Sequence, residues 1–264
     1  MRIVSFGCSL SRQGSDNIEY PDHYNTNFAH RDSGVIRTLA KLLDCEYQNY
    51  SISSASMEII NDRFNSYMIS DYKKDDIIIW QMTYFERLSL STRIHKDIAL
   101  DYALKADNID LSGKTLVSEY YVSNDTWSDE YYTVDLLSHN HKLPRHFHLQ
   151  NNVIKLKTPF YRFEKNLINS LALQKMINNM GNPLLVWFGW QGALIGKWDW
   201  NEEYERRLKK ENINYEEKRY LEWCKENNLT LTDTLHPCPF DSAPIYARMV
   251  LLPRLKKLLN ETSQ

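Results

Sequence analysis

Apolar residues recur along this chain in two rhythms, and the rhythms alternate. Short apolar runs bounded by turn residues read as buried strands: Arg2 to Phe6, Cys45 to Ser51, Asp76 to Trp80 and Leu184 to Phe188. A fifth run, Leu229 to Leu231, alternates apolar and polar positions on its way to Asp233. Ile77-Ile78-Ile79-Trp80 is apolar throughout, which suits a central parallel strand covered on both faces. Between the strands the spacing becomes helical. Val35, Ile36, Leu39, Leu42 and Leu43 form one stripe, and Met57, Ile60, Phe64 and Tyr67 or Met68 a second. Phe160, Phe163, Leu167 and Leu171 form a third, which Gly181 and Pro183 bring to a stop. Strands that alternate with helices predict an α/β domain with a five-stranded parallel sheet.

The caps and breaks refine this picture. Asp32 or Ser33 is expected to cap the first helix, and the serines from Ser53 to Ser56 open the second. Asn201 to Asn228 reads as a charged outer helix pair, with Tyr220, Leu221 and Trp223 turned inward. Asp241 or Ser242 begins the closing helix, with Pro244 in its first turn and Pro253 expected to kink or restart it.

Two stretches do not follow the alternation. Residues 12–32 are polar and irregular, a long loop containing His23 and His30. Residues 88–158 mix Ser, Asn, Asp and aromatic positions. There a helix is expected near Asp97 to Ala106, then irregular or hairpin structure around Tyr120-Tyr121-Val122 and Tyr131-Tyr132-Thr133-Val134, with Asn124-Asp125 between them as a turn signal. This stretch reads as an insertion or cap on a single domain spanning 1–264.

Composition narrows the function classes. A chain of 264 residues, 42% hydrophobic and 25% charged, can bury a sizeable core as one domain. A net charge of −2 gives no global attraction to nucleic acid or to an anionic membrane. No long uncharged apolar run predicts a transmembrane helix. No secretory leader is expected, because Arg2 to Phe6 belongs to the first strand, and the expected location is cytoplasmic. Cys8, Cys45, Cys224 and Cys238 lack metal-ligand spacing and are expected to be reduced. Trp187, Trp190, Trp198 and Trp200 cluster around the fourth strand and suit either a sugar or acyl pocket or a satellite core.

Candidate chemistry sits at the two ends of the chain. The first strand runs into Gly7-Cys8-Ser9-Leu10. In an open α/β sheet, ligands bind outside the carboxyl ends of the strands, so Ser9 stands where a nucleophile belongs, or simply caps the next element. Near the other end the chain reads Asp233-Thr234-Leu235-His236-Pro237. A serine hydroxyl needs a base to take its proton, and the base needs a carboxylate to fix its tautomer. Asp-x-x-His supplies both from one loop.

These two blocks resemble those of the SGNH/GDSL hydrolases, esterases and acyl-transferring enzymes on a flavodoxin-like three-layer α/β/α fold. The resemblance implies Ser9 as nucleophile, His236 as general base and Asp233 as orienter. It implies oxyanion donors at the Ser9 and Ser54 backbone N–H groups, with Gln81 or Thr83 as a side-chain donor. At three of these positions the chain departs from the family, with Ser54 and Gln81 in place of glycines and Thr83 in place of an asparagine. Trp80, Thr83 and Arg87 echo a W-x-x-T run followed by arginine in a divergent branch. The implied activity is hydrolysis of a small acyl ester, such as O-acetyl on a carbohydrate, through an acyl-enzyme and without cofactor or metal. The implied partner is a small-molecule or glycan ester.

Other readings of the same residues stay open. A sugar acceptor in place of water makes the protein an O-acyltransferase. Loss of the chemistry leaves a glycan-binding module. His139, His141, His146 and His148 form two His-x-His pairs that a strand would place on one face, as in a zinc site. Cys8, beside Ser9, offers a thiol nucleophile.

Overall fold

The structure is a computed structural model and describes residues 1–12, 34–51, 55–83, 89–95, 116–117, 120–124, 131–137, 159–189, 194–195, 198–231, 237–238 and 240–262. Its centre is a parallel sheet of β1 (Arg2–Phe6), β2 (Glu46–Asn49), β3 (Asp76–Met82) and β8 (Leu184–Phe188), extended at one edge by the two-residue β11 (Tyr215–Glu216). The spatial order is β11-β8-β3-β1-β2. The chain steps outward from β1 to β2, then crosses back over β1 to β3. The order therefore reverses between β1 and β3, which is the switch point of a flavodoxin-like sheet.

Helices follow in the connections: α1 (Ser9–Arg12), α2 (Val35–Leu42), α3 (Met57–Ser70), α4 (Pro159–Asn179), α5 (Trp200–Lys210), α6 (Tyr220–Glu226) and α7 (Ser242–Tyr246). A π-helical turn (Ala247–Leu251) then leads into α8 (Leu252–Thr262). Adjacent strand residues show that both sheet faces are covered. Trp187 packs on Tyr246 of α7, while Phe188 packs on Tyr204 of α5. All seven residues of β3 are buried, as a doubly covered central strand requires. On the α3 face, Phe6 meets Tyr50, Phe64, Tyr67 and Trp80 with ring centroids 5.2–5.8 Å apart. Burying aromatic and branched chains of this size is the main favourable contribution to such a fold, about 2 kcal/mol or more for each.

A polar cluster closes the amino ends of β1 and β3. The Arg2 guanidinium grips Asp76 through Nε at 3.1 Å and Nη2 at 2.7 Å, and Asp71 through Nη1 at 2.9 Å. Tyr67 donates its hydroxyl to Asp76, and Tyr50 donates to Asp71, each at 2.8 Å. Burial and these carboxylates hold both phenols well above the ordinary tyrosine value.

Several expectations need correction. The run Leu229 to Leu231 is not a strand of the sheet; Leu231 makes only an isolated antiparallel bridge to Pro237. The edge place belongs instead to Tyr215–Glu216, between the two helices of the charged 201–228 stretch. The N-cap of α2 is Gly34, at φ 95°, while Asp32 and Ser33 lie outside the described residues. Ser56 caps α3, its hydroxyl accepting from the Ile59 N–H. Gly181 ends α4 in the left-handed region at φ 81°, as expected of a C-terminal glycine. Pro253 restarts its helix by way of the π turn, whose wider winding relieves the ring's clash with the carbonyl four residues back.

Within the 88–158 stretch the described strands form an antiparallel sheet, ordered β4 (Ser89–His95), β7 (Tyr131–Leu137), β6 (Tyr120–Asn124) and β5 (Leu116–Val117). Of the irregular and hairpin alternatives, the two runs take the paired one, β6 with β7, Val122 facing Val134. The helix expected near Asp97 to Ala106 and the four histidines from His139 to His148 lie outside the described residues.

Candidate active site

Ser9 opens α1 directly after β1, on the carboxyl side of the switch point. Thr83, 4% exposed, directly follows β3. The turn between β1 and α1 is held from two neighbouring strands. The Gln81 side-chain oxygen accepts from the Cys8 N–H at 3.1 Å, the Ser11 N–H at 3.0 Å and the Ser11 hydroxyl at 2.7 Å. Both N–H groups are obligate donors, which fixes the orientation of the amide. Its nitrogen donates to Cys8 Sγ at 3.0 Å. From β2, Asn49 Nδ2 donates to the Ser11 carbonyl at 2.8 Å, while Asn49 Oδ1 accepts from the Ser51 N–H at 3.0 Å.

This geometry corrects one expected role. Gln81 is wholly buried, and both ends of its amide engage the turn, so it fastens the turn rather than standing free as an oxyanion donor. Glycine supplies the room. A Cβ on Gly7 would come within 2.7 Å of Gln81 Cβ and 2.5 Å of Ser11 Oγ, and one on Gly189 would overlap the Gln81 amide nitrogen and Leu10. Gly7 is thus required for close approach, since its backbone is not left-handed.

The block at the other end of the chain is stapled at its base. Leu231 bridges Pro237, and the Cys238 N–H bonds the Thr230 carbonyl at 2.9 Å. Asp241, the N-cap of α7, accepts from Ser242. Burial opposes ionisation of Asp241, but hydrogen bonds from Thr230, Ser242 and Cys238 outweigh it and hold the carboxyl below its ordinary value. Residues 232–236, with Asp233 and His236, lie outside the described residues, as do Ser54, Arg87 and Trp190. The flank of this loop is fastened to the carboxyl end of β8. Tyr246 lies over Tyr220 at 4.4 Å, and the next residue, Leu221, gives its N–H to the Gly189 carbonyl at 3.1 Å. Gly189 in turn borders Leu10 and Gln81. Tyr246 of α7 therefore stands beside the carboxyl end of β8. Trp187 belongs to the core, fully buried against Tyr220 and Tyr246.

Sequence reasoning missed Asn49, Ser11 and Gly189 as supports of this turn. The one readable signal was a glutamine directly after the apolar run Ile77 to Trp80 of the central strand.

No family model matches the chain, and no curated protein matches it. Solved structures do. EstA, a psychrotrophic esterase of a Pseudoalteromonas species, aligns over 98% of this chain and 98% of its own, with a TM-score of 0.51 and 11% identity. A variant of Axe2, an acetyl-xylooligosaccharide esterase of Geobacillus stearothermophilus, aligns over 96% of this chain and 93% of its own, again with a TM-score of 0.51 and 11% identity. No helix among the described residues is long and apolar enough to cross a membrane. The chain therefore has an α/β/α fold similar to that of these esterases.

Proposed function

We propose that this protein is a serine esterase of the SGNH type, acting on a small acyl ester. The observation that carries the reading is the position of Ser9, at the switch point of a sheet whose likeness spans known esterases. His236 takes the Ser9 proton, with Asp233 fixing its tautomer, and Ser9 attacks the ester carbonyl. The Ser9 and Ser54 N–H groups and the Thr83 hydroxyl face the developing oxyanion. Collapse expels the alcohol, which takes its proton from His236, and water then releases the acid from the acyl-enzyme. An O-acetylated carbohydrate is the proposed substrate class, in keeping with the acetyl-xylooligosaccharide esterase activity named for Axe2.

A second reading has its own support. Gln81 is buried and bound to the turn, which leaves fewer donors for an oxyanion and favours a glycan-binding module without chemistry. A fluorophosphonate probe separates the two. The esterase reading expects the wild type to take the label and Ser9→Ala to refuse it. An unlabelled wild type that still binds glycans supports the module instead.

A further inference from the structure

We propose that Gln81 is a positioning residue, which from a slot between Gly7 and Gly189 fixes the turn that presents Ser9. The role given to Ser9 rests on the esterase reading; the clamp itself rests on geometry. β3 is buried along its whole length and paired on both sides, so the Gln81 backbone is a fixed point. From there one carbonyl oxygen gathers three hydrogens of the turn, two from Ser11 and one from Cys8. Asn49 holds the same turn from the opposite side through the Ser11 carbonyl. Ser9 lies between the two clamped residues, Cys8 and Ser11, so its backbone has little freedom to swing.

Glycine at positions 7 and 189 is the counterpart of this side chain. Each glycine leaves the volume that the glutamine fills, and a methyl group at either would displace it. A hydrocarbon in place of Gln81 would fill the slot and hold nothing. Misplacing a nucleophile by about 1 Å costs on the order of a hundredfold in rate, so the clamp acts on the chemical step more than on binding.

The test follows fluorophosphonate labelling of Ser9 in the full chain, together with amide hydrogen exchange over residues 7–11. Gln81→Leu is expected to lower the limiting labelling rate by about a hundredfold with little change in half-saturating probe concentration. Exchange at the Cys8 and Ser11 amides is expected to quicken. Gln81→Glu keeps an acceptor for the turn. It should recover most of the rate where the new carboxylate is ionised and lose it at lower pH, a step absent from the wild type. Should Gln81→Leu fail to fold, Ser11→Ala decides, with a severalfold slower label expected. Folded variants that label within twofold of the wild type, or that leave exchange unchanged, overturn the proposal. A wild type that takes no label sinks the esterase reading instead, and exchange alone then judges the clamp.

Discussion

The Ser11 hydroxyl lies 2.7 Å from the Gln81 side-chain oxygen, across 70 positions of sequence. That contact joins the turn after the first strand to the end of the central strand, and it explains why two glycines flank the pair. A buried hydrogen bond contributes about 1 kcal/mol net, while a buried donor left without a partner costs roughly 1–3 kcal/mol. Gln81→Leu strips the acceptor from the Cys8 N–H and the Ser11 hydroxyl, while the Ser11 N–H keeps the Cys8 carbonyl, and should lose about 3 kcal/mol. Ser11→Ala leaves no orphaned donor and should lose about 1 kcal/mol. Urea denaturation of the two variants checks the ratio; equal losses would contradict it.

Gly189→Ala should perturb the same turn from the far side. Its methyl would overlap Gln81 and Leu10, both enclosed in the core, so overpacking of about 1–3 kcal/mol is expected. The paired variant Gly189→Ala with Gln81→Ala should recover part of that loss in thermal melts. Strict additivity would show that the two residues do not share the slot.

Thr83→Val tests the oxyanion assignment. The substitution keeps the shape and removes the hydroxyl, so the acylation rate should fall by roughly a hundredfold at nearly constant KM. A rise in KM alone would place Thr83 in substrate binding.

The cluster at the other end of the sheet is structural. Asp76, whose side chain is 2% exposed, answers Arg2, Tyr67 and the Lys73 N–H. Asp76→Ala leaves a largely buried guanidinium without its main partner and should cost about 3–5 kcal/mol. Labelling of Ser9 per folded molecule should not change, because this cluster lies at the opposite strand ends. Measuring both quantities on one preparation tests the separation.

Stability should fall on the alkaline side. Burial pushes the Cys224 thiol up to about 12 from an ordinary 9.0, and burial likewise raises the phenols of Tyr204, Tyr220 and Tyr246. Above pH 9.0 the unfolded chain sheds this thiol proton while the folded chain keeps it. The stabilisation is therefore complete below that pH and is lost as pH climbs toward 12. Asp241 acts with the opposite sign: its lowered carboxyl stabilises above the ordinary 3.8 and loses that contribution as pH drops further. Denaturation midpoints across the alkaline range should decline, and a flat profile would contradict the burial of these groups.

Much of the sheet was legible because burial on both faces leaves an apolar run that no other element imitates, as in Ile77 to Trp80 and Leu184 to Phe188. The β6–β7 pairing was only partly legible: the β-branched and aromatic runs allowed a hairpin, while Asn124, read as a turn residue, pairs with Tyr132 as the last residue of β6. Tyr215–Glu216 was not, since two residues in a charged stretch carry no periodicity. Leu229 to Leu231 alternates like a strand, yet its partner is Pro237, so local pattern could not place it in the sheet. The function of Gln81 depends on Cys8 and Ser11, far away in sequence, and spacing along the chain cannot report such a contact. Aligning it with a family block suggested a donor to an oxyanion, whereas its oxygen gathers three hydrogens of the turn and its nitrogen donates to Cys8 Sγ.

The most direct measurement is a crystal structure read at one distance, from the Ser9 hydroxyl to the nearer imidazole nitrogen of His236. The account predicts a separation of about 2.6–3.2 Å, with an Asp233 carboxylate oxygen on the other ring nitrogen. An imidazole turned away from Ser9, or a loop 232–236 held well beyond hydrogen-bonding reach, would contradict it.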